Sequence, residues 1–379
     1  MKEQIRALAQ RLQQSVRDLR LPKSAPHLEA LRRLPRLEAL KTLPGSAWLR
    51  GLRRQRWPRL PGGVRPWVSL LSLGFVLAAL VSHGRQLLQF SLDPQGWLWL
   101  LLGLGLNVLS LVVNGLAWGV ILRWRGLRPR WLEVVMLYVS TNLRKFLPGG
   151  IWHLASRVQA LRGAEAPLAA PLSTPQALVV TLLDPLLAAV AALALVALGG
   201  WQNGLGLLAL LPLVLLRPRW LNPLLQRLER KRARDLGLTQ EMEREAAASA
   251  GTPPVNGYPW PPLLVELAFV LLRFAGFLCC VLAFDLQLNL DVFTWLAGFA
   301  LAWTLGLVVP GAPGGLGVFE TVLLLRLGLV LPEAPLLAVA LSYRLMVTVA
   351  DLLGAGLVNL DQRLAAALLA SPTPGDSSQ

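Results

Sequence analysis

Arg144, Lys145, His153, Arg157, Asp184, Glu266, Arg273, Glu320, Arg344 and Asp351 carry ionisable groups inside stretches of chain that are otherwise apolar. A charge inserted into a membrane helix costs about 2.5–3.5 kcal/mol on insertion scales, so such residues face the protein interior and pair. His153 and Arg157 are four apart and share a helix face; Glu266 with Arg273, and Arg344 with Asp351, are seven apart and also share one. Two Pro-Gly-Gly sequences lie among them, Pro148-Gly149-Gly150 and Pro313-Gly314-Gly315, the second followed by Gly317 and Glu320. Proline suits a helix start, and paired glycines let the backbone approach another group closely. The half-helix that opens after each break presents unpartnered N–H groups and the positive end of its dipole, which favours an anion. With Arg144, Lys145 and Arg157 near the first break, this chemistry suits a phosphate headgroup. Glu320 lies within two turns of the second break, where the dipole favours a carboxylate; it also suits a cationic headgroup or a proton. The alternative is that these acids and bases neutralise one another and hold a helix bundle together. The candidate headgroup-binding set is Arg144, Pro148, Gly149, Gly150, His153, Arg157, Asp184, Pro313, Gly314, Gly315, Gly317, Glu320 and Arg344.

Other chemistries find little support. His27, His83 and His153 are scattered, and no His/Cys/carboxylate group has metal-ligand spacing. There is no Gly-x-Ser-x-Gly elbow and no phosphate loop. Cys279 and Cys280 are adjacent in an apolar run and cannot form a disulfide framework. The expectation is a protein without cofactor or metal, not an enzyme and not a nucleic-acid binder, whose partners are membrane lipids.

The elements that must position these residues follow from composition. The chain of 379 residues is 54% apolar and 15% charged, where soluble domains are about 25% charged. Its net charge of +16 is segregated from its apolar content, as in a polytopic membrane protein. Residues 1–65 hold 16 of the 37 Lys+Arg and four acids. Apolar residues there recur at helical spacing (Ile5, Leu8, Leu12, Val16, Leu19), but prolines cut the segment into short pieces. This reads either as a basic amphipathic arm on an anionic membrane surface or as a solvated cytosolic tail, and not as a signal peptide. Residues 123–130 carry four arginines and no acid, and 217–250 carry eight Lys+Arg against five acids, whereas 91–95, 200–204 and 285–291 have neither Lys nor Arg. The positive-inside rule places the N-terminus, 123–130 and 217–261 in the cytoplasm.

A helix needs roughly 20 apolar residues to cross a ~30 Å hydrocarbon core. The expected spans are Trp67–Leu88, Trp97–Leu122, Leu172–Leu198, Leu263–Phe284 and Leu336–Leu360, with the short Leu205–Leu216 as a further crossing. Trp131–Gly163 and Val292–Gly328 each read as a helix, a Pro-Gly-Gly break and a second helix. Leu147-Pro148-Gly149-Gly150-Ile151 aligns with Ala312-Pro313-Gly314-Gly315-Leu316 at an offset of 165; Trp131 with Trp295 at 164; Val179–Asp184 with Met346–Asp351 at 167. These matches indicate an internal repeat over about 97–199 and 262–360, and the loop charges make the copies inverted in topology, as in many secondary transporters. Backbone broken at membrane depth is tolerated only where protein or a wet cavity satisfies it, so two breaks entering from opposite faces suggest a site near the midplane. The expected fold is an all-α polytopic bundle: a basic extension 1–65, a membrane domain 66–361 and a disordered tail 362–379.

Leu143-Arg144-Lys145-Phe146-Leu147-Pro148-Gly149-Gly150-Ile151-Trp152-His153-Leu154-Ala155-Ser156-Arg157 resembles the first signature of the lysylphosphatidylglycerol synthase transmembrane-domain family, and Pro310–Glu320 the more specific second one. Arg344 in the last span also fits, and the resemblance covers about 66–361. It implies a flippase-like integral membrane protein, in a bacterial cytoplasmic membrane. Full-length synthases add a soluble aminoacyl-transferase domain. Only 18 residues follow Asp361, so lipid aminoacylation by this chain is not expected. Asp184 stands where the family often has Glu. The expected function is movement of an anionic phospholipid or polyprenyl-phosphate-linked lipid between leaflets. The alternative is a non-transporting scaffold for a lipid- or glycan-modifying enzyme, docked through the N-terminal arm.

Overall fold

The computed structural model describes residues 93–146, 151–199, 205–236, 240, 244, 254–284, 290–309, 313–328 and 330–370. The expected span Trp67–Leu88, the basic extension and the residues Pro148, Gly149 and Gly150 of the first break lie outside them.

Helix α1 (Pro94–Trp124) starts where the sequence supplies both a proline at its first position and a cap: the Gly96 N–H donates to Asp93 Oδ1 at 2.6 Å. Its 31 residues outreach a bilayer core at 1.5 Å per residue. Helix α2 (Trp131–Asn142) tightens into a 3-10 turn, Leu143–Phe146, at the first break; α3 (Trp152–Arg162) follows it, and α4 (Thr174–Val196) closes the first half. Short α5 (Leu205–Leu208) and α6 (Leu211–Leu215) lead to the basic α7 (Pro218–Leu236). The second half runs α8 (Trp260–Ala283), α9 (Val292–Val308), a 3-10 turn Pro313–Gly315, α10 (Val318–Leu327) and α11 (Glu333–Ala370). Each half thus has the same order: a long helix, a helix ending at a break, a helix of 11 or 10 residues, and a long closing helix.

Pro94–Trp124, Thr174–Gly199, Trp260–Ala283 and Glu333–Ala365 are long and apolar enough to cross a membrane, with mean hydropathy from 1.8 to 2.4. Their polarity is arranged outside-in. Leu98, Leu101 and Leu109 of α1 and Leu345, Leu352 and Leu357 of α11 are exposed, while Asn107, Asn114, Arg157, Asp184, Glu266, Arg273, Glu320 and Asp351 are buried. Water would reject that exterior and hydrocarbon would reject that interior turned out. The protein is an all-α polytopic membrane bundle.

Close packing sets the frame. Gly115 and Gly119, small residues four apart, let α2 lie close on α1: a Cβ on Gly119 would stand 2.7 Å from the Trp131 ring. Rings of Phe269, Phe274, Phe277, Trp295, Phe299, Phe319 and Tyr343 form one buried cluster between α8, α9, α10 and α11, with centroids such as Phe277–Phe299 at 5.1 Å.

Three sequence expectations are modified. Leu205–Leu216 is not one continuous helix; a turn at 209–210 and Pro212 divide it into α5 and α6, which pack beside the end of α4. The expected loop 217–261 contains α7, anchored where Val255 N donates to Asn222 Oδ1 at 2.9 Å and Tyr258 Oη to Leu213 O at 2.8 Å. Finally, α11 does not stop at Asp361 but continues through Ala370, because the residues 362–370 are strong helix formers with no proline or glycine among them.

Candidate functional site beside the second helix break

The second break is built by its glycines. Gly314, Gly315 and Gly317 have φ of 59°, 75° and 78°, a region that side chains disfavour. At Gly315 an added Cβ would lie 2.8 Å from the Gly306 carbonyl oxygen and 2.9 Å from its Cα, so α9 and the break touch backbone to backbone. The carbonyls freed by the break are not left to lipid. Arg344 of α11 donates through Nη2 to Gly315 O at 2.6 Å and through Nη1 to Gly314 O, and its Nε pairs with Glu320 Oε1 at 3.0 Å. Glu320 Oε2 in turn accepts the Gly317 N–H at 2.7 Å, capping α10. The positive helix end expected to attract an anion here already holds one, the protein's own carboxylate.

The first half uses the same device with charges exchanged. Arg157 of α3 is 1% exposed; its Nη1 lies 3.3 Å from Asp184 Oδ2 of α4, and its guanidinium stacks 3.6 Å from the centroid of Tyr138. Tyr138 Oη donates to the same Asp184 oxygen at 3.0 Å, and Arg157 Nε to Thr141 Oγ1 at 3.2 Å. So the helix after the break carries the cation in one half and the acid in the other, and the closing helix carries the partner.

A third pair joins the halves. Lys145, in the turn ending α2, lies 2.6 Å from Asp351 of α11, whose other oxygen accepts from Asn142 Nδ2 at 2.9 Å. Beside it the Phe146 ring packs on Gly314, where a Cβ would meet it at 2.8 Å. The turn that ends α2 therefore meets the second break. Asp351 is fully buried, so Lys145→Ala would strand a carboxylate with one amide donor. We expect that variant to lose about 3 kcal/mol or more, and Lys145→Ala with Asp351→Asn to recover most of it, read as thermal unfolding of the purified protein.

Around this junction lies a cavity of about 660 Å³. Lys145, His153, Arg157, Asp184 and Arg344 line it, with Gly314 and Gly315 at one wall and Asn114, Tyr138 and Asn142 at another. Arg273 of α8 also lines it and was not in the sequence-derived set. It is 4% exposed and donates through Nη1 to Asn107 Oδ1 at 3.2 Å, while its Nε has no acceptor and no carboxylate pairs with it among the described residues. Its spacing from Glu266 suggested a partner, but no ion pair joins the two, and Glu266 lies beside Asp184 of the packed α4.

Of the candidates, His153, Arg157, Asp184, Gly314, Gly315 and Arg344 thus share one cavity wall or another, with Gly317 and Glu320 directly behind it. Arg144 does not join them: it is exposed and donates to Ser156 Oγ on α3. Pro313 opens the 3-10 turn of the second break.

No curated protein sequence gives a significant match to the chain. The model of one family does, that of the lysylphosphatidylglycerol synthase TM region, which aligns with residues 67–354 and so takes in both Pro-Gly-Gly sequences and every residue that lines the cavity. The chain belongs to the lysylphosphatidylglycerol synthase transmembrane-region family.

Proposed function

We propose that this integral membrane protein carries an anionic amphiphile, an anionic phospholipid or a polyprenyl-phosphate-linked lipid, between leaflets. The headgroup occupies the cavity beside the second break while the hydrocarbon chains stay in lipid. The observation that carries this reading is Arg273, a buried guanidinium on the cavity wall with no carboxylate partner among the described residues. An uncompensated cation inside a membrane bundle is costly unless an anion completes it. The paired cations Lys145, Arg157 and Arg344 add a positive rim whose own acids hold them in place.

In this reading the halves are inverted repeats with the N-terminus in the cytoplasm of a bacterial cell, and the breaks enter from opposite leaflets. Loop charges and the repeated element order support that arrangement, as does the meeting of Phe146 with Gly314. The protein acts as a carrier and not as an enzyme, and its partners are membrane lipids.

Reconstitution tests the reading. Purified protein in vesicles should speed the transbilayer movement of fluorescent phosphatidylglycerol more than that of phosphatidylcholine. Arg273→Gln should slow it roughly ten- to hundredfold, the worth of one charge-assisted contact. Equal rates with and without protein across a panel of anionic lipids would refute it.

A further inference from the structure

Glu266, on α8, is a buried ionisable group for which the headgroup pocket has no use. It is fully buried, and neither of its oxygens receives a hydrogen bond from a donor among the described residues. Helix α8 packs on α4, which places the Glu266 carboxyl beside that of Asp184. Asp184 Oδ2 accepts from Tyr138 and Arg157, while Oδ1 has no such donor. Two ionised carboxylates offer acceptors only, so a hydrogen bond between them exists only while one holds a proton.

The surroundings reinforce this. The charged or titratable groups facing the pair are Tyr138 from α2 and Arg157 from α3. Helix α1 brings no charged side chain before Arg123 at its far end, and α9 brings none. The next charges are Arg273 on α8, Lys145, and on the second half Glu320, Arg344 and Asp351. One guanidinium does not offset two carboxylates in so dry a setting.

We propose that Glu266 and Asp184 together bind one exchangeable proton, and that this proton is bound jointly with a singly charged anionic headgroup. The proposal rests on the headgroup reading above and adds the coupling ion and the charge class of the cargo. The cations of this region are Lys145, paired with Asp351, Arg157 with Asp184, Arg344 with Glu320, and Arg273, without a carboxylate partner among the described residues; its fourth carboxyl is Glu266. With the proton in place, these four cations exceed the three remaining carboxylates by a single charge, that of Arg273. One anionic headgroup completes the balance. When the proton leaves, the cavity region is already neutral and a second carboxylate stands beside the site, so the anion is released. Asp184 lines the cavity and Glu266 lies behind it, which makes Asp184 the point of exchange with cavity water. No covalent bond changes; the proton moves from water to the carboxyl pair and back.

Two measurements on the full chain test this and separate it from the transport reading. Infrared spectra in nanodiscs of phosphatidylcholine alone should show the C=O stretch of a protonated carboxylic acid, absent in Glu266→Gln and titrating away in alkali. Absence of any difference between the two proteins would overturn the proton site, whatever the lipid assays give. Binding of phosphatidylglycerol, read by native mass spectrometry, should weaken on the order of tenfold from mildly acidic to alkaline buffer in the wild type. Glu266→Gln, whose amide N–H replaces the shared proton, should bind equally across that range. Wild-type binding that ignores pH would overturn the coupling, and needs no variant to fold. A carboxylic acid band without phosphatidylglycerol binding at any pH would remove the headgroup reading and the coupling together, and leave the proton site standing.

Discussion

Arg157→Ala is expected to be the most damaging single side-chain truncation in the bundle, costing about 3–5 kcal/mol of stability as removal of one partner from a buried ion pair does. The guanidinium is 1% exposed and does several jobs at once. It pairs with Asp184 at 3.3 Å, donates to Thr141 at 3.2 Å, and stacks on Tyr138 at 3.6 Å with Trp118 at 5.6 Å. Alanine would leave the Asp184–Glu266 carboxyl pair with Tyr138 alone. Arg157→Lys keeps the charge but loses the planar fork and the stacking, so an intermediate loss is expected. Arg144→Ala, by contrast, removes an exposed residue that bonds to Ser156 and should cost no more than about 1 kcal/mol. Denaturation of the three purified variants in one detergent checks the order; equal losses for Arg144→Ala and Arg157→Ala would contradict it.

Gly315→Ala should be comparably severe for a reason that involves no charge. The residue sits at φ 75°, where a Cβ is strained by itself at about 1–3 kcal/mol. The added carbon would also lie 2.8 Å and 2.9 Å from backbone atoms of Gly306, which cannot rotate away as a side chain can. The expected result is separation of α9 from the break, loss of the Arg344 bond to Gly315 O, and a fall in the yield of folded protein. Gly356→Ala on α11 is the matched control, since nothing lies within 4 Å of its would-be Cβ. Helix propensity predicts a small gain there. Size-exclusion profiles and melting curves of the two variants, compared side by side, check the prediction.

The charged residues of the site could be picked out in the sequence because an ionisable group in an apolar run needs an interior reason. Their pairing could not. Arg344 and Asp351 share a helix face, but seven residues separate them by ~10 Å of rise, beyond side-chain contact. Each therefore pairs across the bundle, Arg344 with Glu320 and Asp351 with Lys145. Glu266 and Arg273 follow the same rule: Glu266 lies beside Asp184, and Arg273 is left to Asn107, Tyr343 and the cavity. That divergence made Arg273 a site residue that spacing alone disguised as half of an ion pair. The second break was legible from its glycines, since Gly314, Gly315 and Gly317 all adopt positive φ. That the N-terminal end of α10 would be closed by Glu320 was only half legible. Sequence placed a carboxylate near the dipole, but not the Gly317 N–H bond that removes this helix end from service as an anion site. Arg144 failed for a simple reason: the 3-10 turn Leu143–Phe146 points it to the exterior while Lys145 enters the cavity.

Central to the proposed function is Arg273, holding an anionic headgroup in the cavity beside the second break. Native mass spectrometry of the lipids that stay with the purified protein tests that most directly. Wild type should retain an anionic lipid through delipidation, and folded Arg273→Gln should lose it while melting at a similar temperature. Retention of the same anionic lipid by both, or a wild type that keeps only zwitterionic lipid, would contradict the account.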